Sequence, residues 1–258
     1  PDHCNYNPEA NTDDGSCIYP QEGYDCYGNQ LPAIGALING GIVFYVDDTG
    51  EHGLVAAMED LGQFEWGCSG TYISGADGQA IGTGYQNTID IVAGCSETPI
   101  AASAALAYES EGYSDWYLPS KYELIEMYNT ISIGGFLGNV GGFESTNGDN
   151  SNYWSSTEND LPGAVCIHFD ETGAIDPDGK NFTKRVRPIR AFGYTFGCMD
   201  SLACNYNPEA NMADGSCEYA ELGYDCEGNE ITQYQVGDLA EGGIVFYVDE
   251  TGEHGLVA

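Results

Sequence analysis

The chain repeats itself after about 200 residues. Residues 1–29 align without a gap with residues 201–229, sharing C-N-Y-N-P-E-A-N, D-G-S-C and G-Y-D-C, with 19 identities in 29 positions. The run G-G-I-V-F-Y-V-D-D-T-G-E-H-G-L-V-A at 40–56 returns at 242–258 with 16 of 17 positions unchanged. The offset is 200 residues for the first block and 202 for the second, so 258 residues hold one period and the opening of the next. Solenoid repeats run roughly 20 to 50 residues and bury a core only by stacking; a period this long encloses whole domains. The second copy is led by G-C-M-D at 197–200, whereas the first begins inside the equivalent stretch, so the sequence reads as an excerpt from a tandem array of domains.

Four segments follow. Residues 1–30 and 198–229 are short modules of Cys, Asn, Asp, Gly and Pro with too few aliphatic residues for a core, and chains of that kind need staples. Residues 38–193 carry ordinary hydrophobic patterning, and 240–258 repeat the opening hairpin of that larger domain. The hairpin is G-I-V-F-Y-V at 41–46 and G-L-V-A-A-M at 53–58 around D-D-T-G-E-H. Helices are expected at 87–93, 99–109 and 121–129, the last opened by the capping box Ser120 to Glu123, and strands at 153–157, 164–169 and 185–192. The fold class is α+β with a mainly antiparallel sheet.

Charge excludes one class of partner. With 41 Asp+Glu against 6 Lys+Arg, the formal net charge is −35, and a chain so acidic does not bind nucleic acid. The most apolar stretch, 33–46, is interrupted by Asn39 and three glycines, so no membrane span is expected. Ten cysteines fit an oxidising, extracellular or cell-surface setting.

In the small modules, Asp200, Asn205, Asn207, Asn211 and Asp214, and in the first copy Asn5, Asn7, Asn11 and Asp14, set hard oxygen donors at short intervals around an Asp-Gly turn. Calcium takes such an oxygen-rich shell; the competing reading is a set of Asx turns with no ion. The four cysteines of the second copy allow three pairings. We favour Cys204 with Cys217 and Cys198 with Cys226, with Cys4 and Cys17 the corresponding pair in the first copy. A loop closed over about a dozen residues contributes on the order of 3 kcal/mol. In the larger domain Cys68 is expected to bridge Cys95, leaving Cys166 as a buried thiol.

The short module resembles the Cys- and Asp-rich repeats of large secreted proteins of marine Bacteroidetes, which are loosely similar to thrombospondin type 3 calcium repeats. The resemblance implies an extracellular spacer, and Asn207 and Asn7, where that pattern has Asp, imply weaker calcium binding. W-Y-L-P-S-K-Y-E-L-I-E-M-Y-N (116–129), Y-W-S-S-T-E (153–158) and K-R-V-R-P-I-R-A-F (184–192), with the opening G-G-I-V-F-Y-V, are similar to the C-terminal domain of the Legionella collagen-like protein family. That resemblance implies a C-type-lectin-like fold and surface adhesion, in some members to sulfated glycans. Neither an E-P-N or Q-P-D triplet nor W-N-D is present, which speaks against sugar coordination through calcium.

Trp116 and Trp154 read as core aromatics, with a sugar-stacking platform at Tyr153, Trp154, Ser155 and Glu158 as the sharper alternative. Lys184, Arg185, Arg187 and Arg190 fall within seven positions; they either satisfy nearby carboxylates or line an anion groove. No nucleophile stands at recognisable spacing from a base and an orienting acid, His52, His168, His254 and Cys166 included, so no enzyme is expected. The expected function is a non-catalytic repeat unit of a secreted or cell-surface fibre or stalk. Its partners are neighbouring repeats and other copies of the chain. The alternative is an adhesin domain recognising a surface glycan.

Overall fold

A computed structural model describes residues 4–5, 9, 11–12, 15–19, 21, 24, 26–27, 31–146, 149–221, 224–229, 235–240, 242–248 and 255–258. Asn7, Asp14 and His254 lie outside the described residues. The chain divides into two compact units, Pro1–Tyr194 and Thr195–Ala258. Across the two, the described residues form mixed α and β structure dominated by sheet, with the few helices all in the first unit and two disulfides in each.

In the first unit the elements run β1 (Leu37–Ile38), β2 (Gly41–Val46), β3 (Gly53–Ala57), β4 (Gln63–Glu65), α1 (Gly84–Gly94), α2 (Ala101–Leu106), α3 (Lys121–Ile131), β5 (Asn152–Glu158), β6 (Gly163–His168), β7 (Ile175–Gly179), β8 (Thr183–Arg185) and β9 (Ile189–Phe192). One sheet has the order β1-β2-β3-β9 and is antiparallel throughout. The other, β4-β8-β5-β6-β7, is antiparallel apart from the single register pair joining β5 to β8.

Local chemistry explains the first sheet. Asn39 and Gly40 both hold positive φ (51° and 80°), the pair of left-handed residues that a two-residue hairpin turn between β1 and β2 demands. In β2 the register shifts between Val43 and Tyr45, so Phe44 is an extra residue, and Val43 and Phe44 are both fully buried. Gly53 pairs with Phe192; a Cβ at Gly53 would meet the Phe192 ring at 2.5 Å and Tyr45 O at 2.3 Å, so this crossing takes only glycine.

The expected strand over 185–192 is two strands in two different sheets. Pro188 has no N–H to extend a ladder, and the chain turns at Val186 and Arg187, both buried, before β9 joins β3. Leu61 N–H donates to Val186 O (2.9 Å) and Ala57 N–H to Pro188 O (2.9 Å), which seats the break between the sheets. The three helices occur where expected with shifted ends, and Ser120 and Glu123 form the reciprocal capping box of α3.

The core has two parts. Val43, Val55, Ala57, Trp116 and Phe192 close over the first sheet. Trp66, Ile73, Ile91, Ile100, Leu118, Trp154 and Val186 fill the space between α1, α2 and the second sheet. All three tryptophans are fully buried, and each indole N–H finds a carbonyl: Trp66 to Ser155, Trp154 to Phe64, Trp116 to Tyr113.

In the second unit β10 (Phe196–Gly197) pairs in parallel with β11 (Met212–Ala213), followed by β12 (Leu239–Ala240), β13 (Gly243–Val248) and β14 (Gly255–Val257). The last three repeat β1 to β3, including the register shift, here between Val245 and Tyr247. Among the described residues no helix is long and apolar enough to cross a membrane.

Candidate functional site

The second small module is closed by Cys198–Cys217 and Cys204–Cys226, which corrects the favoured pairing of Cys204 with Cys217 and Cys198 with Cys226. Cys204 N–H donates to Glu218 O (2.7 Å), so Cys204 stands opposite Glu218. Neighbouring side chains along a strand-like segment point to opposite sides, which turns Cys217 away from Cys204 and toward Cys198. The first module follows the same rule: Cys4 joins Cys26, not Cys17, whose thiol is exposed. In the larger domain Cys68 and Cys95 are bridged.

A calcium site needs six to eight oxygens converging on one point. Asp200 Oδ1 accepts Leu202 N–H (2.9 Å) and its Oδ2 accepts the Tyr219 hydroxyl (2.8 Å), which holds its carboxyl below the usual range. Asn207 Oδ1 accepts Glu209 N–H, Asp214 Oδ1 accepts Ser216 N–H and Asn211 Oδ1 accepts Thr195 N–H, at 2.7 to 3.1 Å. Asn205 uses both amide atoms on backbone groups, Oδ1 from Glu218 N–H and Nδ2 to Ser216 O. These oxygens serve separate turns, and among the described residues no three carboxylates of this unit gather. As arranged, these side-chain oxygens act as acceptors in Asx turns.

The proposed sugar platform lies inside the domain. Tyr153, Trp154, Ser155 and Glu158 are all buried on β5. The Tyr153 hydroxyl donates to Asp60 (2.8 Å), and its pKa is pushed up by burial and then by the Asp60 charge. Ser155 Oγ donates to Val165 O (2.8 Å). Glu158 accepts Ile73 N–H (2.9 Å) and forms an ion pair with Lys180 in which both side chains are almost wholly buried. The Lys180 ammonium also donates to Thr71 O (2.8 Å) and lies 4.6 Å from the centre of the Trp66 ring. A residue pattern cannot separate a surface aromatic strand from a central one, and here β8 and β6 flank both edges of β5 while α1 and α3 pack against it.

The basic cluster faces its own carboxylates. Arg187 is buried, donating to Asp60 (2.6 Å), Ala57 O and Gly141 O (2.9 Å each) and stacking on Phe143 at 4.2 Å. Arg185 reaches Asp60 and Glu144, and Arg190 holds Asp115 through two bonds of 2.7 and 2.8 Å above the Tyr113 ring. Lys184 pairs with Asp178 at 2.6 Å; burial alone would raise Asp178, but the ammonium and its hydrogen bond hold it low. Lys121, the remaining cation, donates to Gln79. An anionic ligand would therefore have to displace carboxylates already seated.

Glu123, unrecognised by sequence reasoning except as a cap, is fully buried. It accepts Ser120 N–H (2.6 Å) and Gly82 N–H (2.8 Å), and burial outweighs these bonds, pushing its pKa up to about 7. Cys68, Cys95 and Glu97 come together, but both sulfurs are tied in the disulfide and Glu97 accepts Cys68 N–H at 2.7 Å, which makes this a structural corner. The Cys166 thiol is buried beside Asp176 O at 3.3 Å. No protein-family model matches the chain, and no curated protein matches it.

Proposed function

We propose that this chain is a repeat unit of an extracellular, non-catalytic tandem-domain protein, in which C-type-lectin-like domains alternate with disulfide-stapled clips along a stalk or fibre. The observation that carries the reading is the fate of one hairpin in two settings. In the first unit Ile42, Phe44 and Leu54 are 4%, 0% and 0% exposed, because β9 zips onto β3 over four register pairs and α3 lies against β2. The equivalent Ile244, Phe246 and Leu256 of the second unit are 39%, 54% and 55% exposed, and among the described residues β14 pairs only with β13. A small three-stranded sheet with a bare apolar face is marginal alone, and the first unit has the same hairpin with that face covered by β9 and α3.

Four disulfides support an oxidising compartment, and a net charge of −35 with the bases bound internally supports a chain that is extended and solvated rather than one that grips anions. Electron microscopy of the assembly from its native source tests the proposal. A regular beaded thread is expected; isolated globular particles would overturn it.

A further inference from the structure

The two clips share one geometry around the asparagine that follows their common cysteine. In the second, Asn205 Nδ2 donates to Ser216 O, its Oδ1 accepts Glu218 N–H at 2.9 Å, and Cys204 N–H donates to Glu218 O at 2.7 Å. In the first, Asn5 Nδ2 donates to Ser16 O at 2.6 Å, its Oδ1 accepts Ile18 N–H at 2.9 Å, and Cys4 N–H donates to Ile18 O at 2.8 Å. The cysteine beside each Asn is bridged 22 residues downstream, to Cys226 and Cys26. A primary amide can present an N–H and its carbonyl oxygen side by side, as the N–H and C=O of one strand residue do, so each Asn stands in for a missing strand neighbour. A carboxylate has no N–H to give and would set two oxygens against each other at Ser216 O.

We infer that Asn5 and Asn205 are donor–acceptor clamps, and that the clip is an ion-independent staple closed by clamp and disulfides, not by calcium. This goes beyond the stalk reading, which holds with or without an ion. Clamp and calcium ligand differ in sign for Asn205→Asp. Added carboxylate charge strengthens a calcium site, whereas it breaks a clamp.

The experiment uses the oxidised 258-residue chain and amide hydrogen exchange at Cys204 and Glu218, in excess EDTA and in millimolar calcium chloride. Wild-type exchange is expected to be equal in the two buffers, and Asn205→Asp to exchange faster on the order of tenfold in both. Wild-type protection that disappears in EDTA, or a variant whose protection calcium restores, would overturn the inference. If Asn205→Asp fails to form its disulfides, Asn5→Asp reports on the same clamp at Cys4 and Ile18, and the wild-type comparison requires no variant at all.

Discussion

Lys180→Met removes the ammonium that, among the described residues, alone neutralises Glu158. The two side chains are 0% and 1% exposed, and the carboxylate has one further partner, Ile73 N–H. Breaking one member of a buried pair costs about 3–5 kcal/mol, because the remaining charge keeps its desolvation penalty without its partner. Lys180 also gives up a charge-assisted bond to Thr71 O and its place over the Trp66 ring, which sets the expectation at the upper end of that range. Against a total stability of roughly 5–15 kcal/mol this is a large fraction, equivalent to a fall in Tm on the order of 10 °C. All three tryptophans are buried in the first unit, so tryptophan fluorescence during urea unfolding, with disulfides oxidised, follows that unit. Replacing both residues, Lys180→Met with Glu158→Leu, leaves Ile73 N–H and Thr71 O short of a partner but removes the stranded charge. The double variant is therefore expected to be more stable than Lys180→Met, with a coupling of at least about 2 kcal/mol between the two changes. A single substitution costing under about 1 kcal/mol, or two effects that simply add, would refute the reasoning.

Glu123 keeps its proton in the folded chain up to about 7, while the unfolded chain releases it near 4.5, so its contribution to stability is complete below 4.5 and lost as pH rises to 7. Glu123→Gln should remove that part of the slope, gaining on the order of 3 kcal/mol relative to wild type across the interval; parallel urea-derived stability curves would contradict this. Appending a second copy of residues 57–194 after Ala258 should cover the exposed hairpin, so that Leu256 and Val257 amides exchange as slowly as Leu54 and Val55; unprotected amides beside a folded addition would show that the hairpin faces elsewhere. Iodoacetamide should label Cys17 in the native chain at least about a thousandfold faster than Cys166, and equal rates would contradict the burial of the latter.

What could be read from the residues was what neighbouring residues determine. The hairpin at 41–57 is fixed by period-two patterning around a glycine turn, and the start of α3 by Ser120 and Glu123 three positions apart. Two further local signals lie in the sequence: Asn39-Gly40, which makes β1 and β2 a hairpin, and Pro188, which divides one apparent strand between two sheets. The rest depends on distant partners. Nothing in Y-W-S-S-T-E marks Glu158 as buried until Lys180, 22 residues later, arrives to neutralise it, and Arg187 reads as a surface cation until Asp60, 127 residues earlier, takes its guanidinium. Disulfide choice also turns on a distant partner, because Cys204 N–H bonds Glu218 O, 14 residues later, beside Cys217.

These long-range pairings also separate the two kinds of module physically. The large domain can keep Lys180 and Arg187 inside because its core is thick enough to make buried charges specific partners rather than liabilities. The clips have no such interior, and the same need to fix one backbone arrangement falls on side chains that bond the main chain directly. That is why their repeated Asn residues resemble a ligand set in sequence: a turn acceptor and a metal ligand require the same short, oxygen-bearing side chain at the same close spacing. What distinguishes them is that the clamp uses both ends of the amide on the main chain: in Asn5 and Asn205 the nitrogen donates to a carbonyl while the oxygen accepts an N–H.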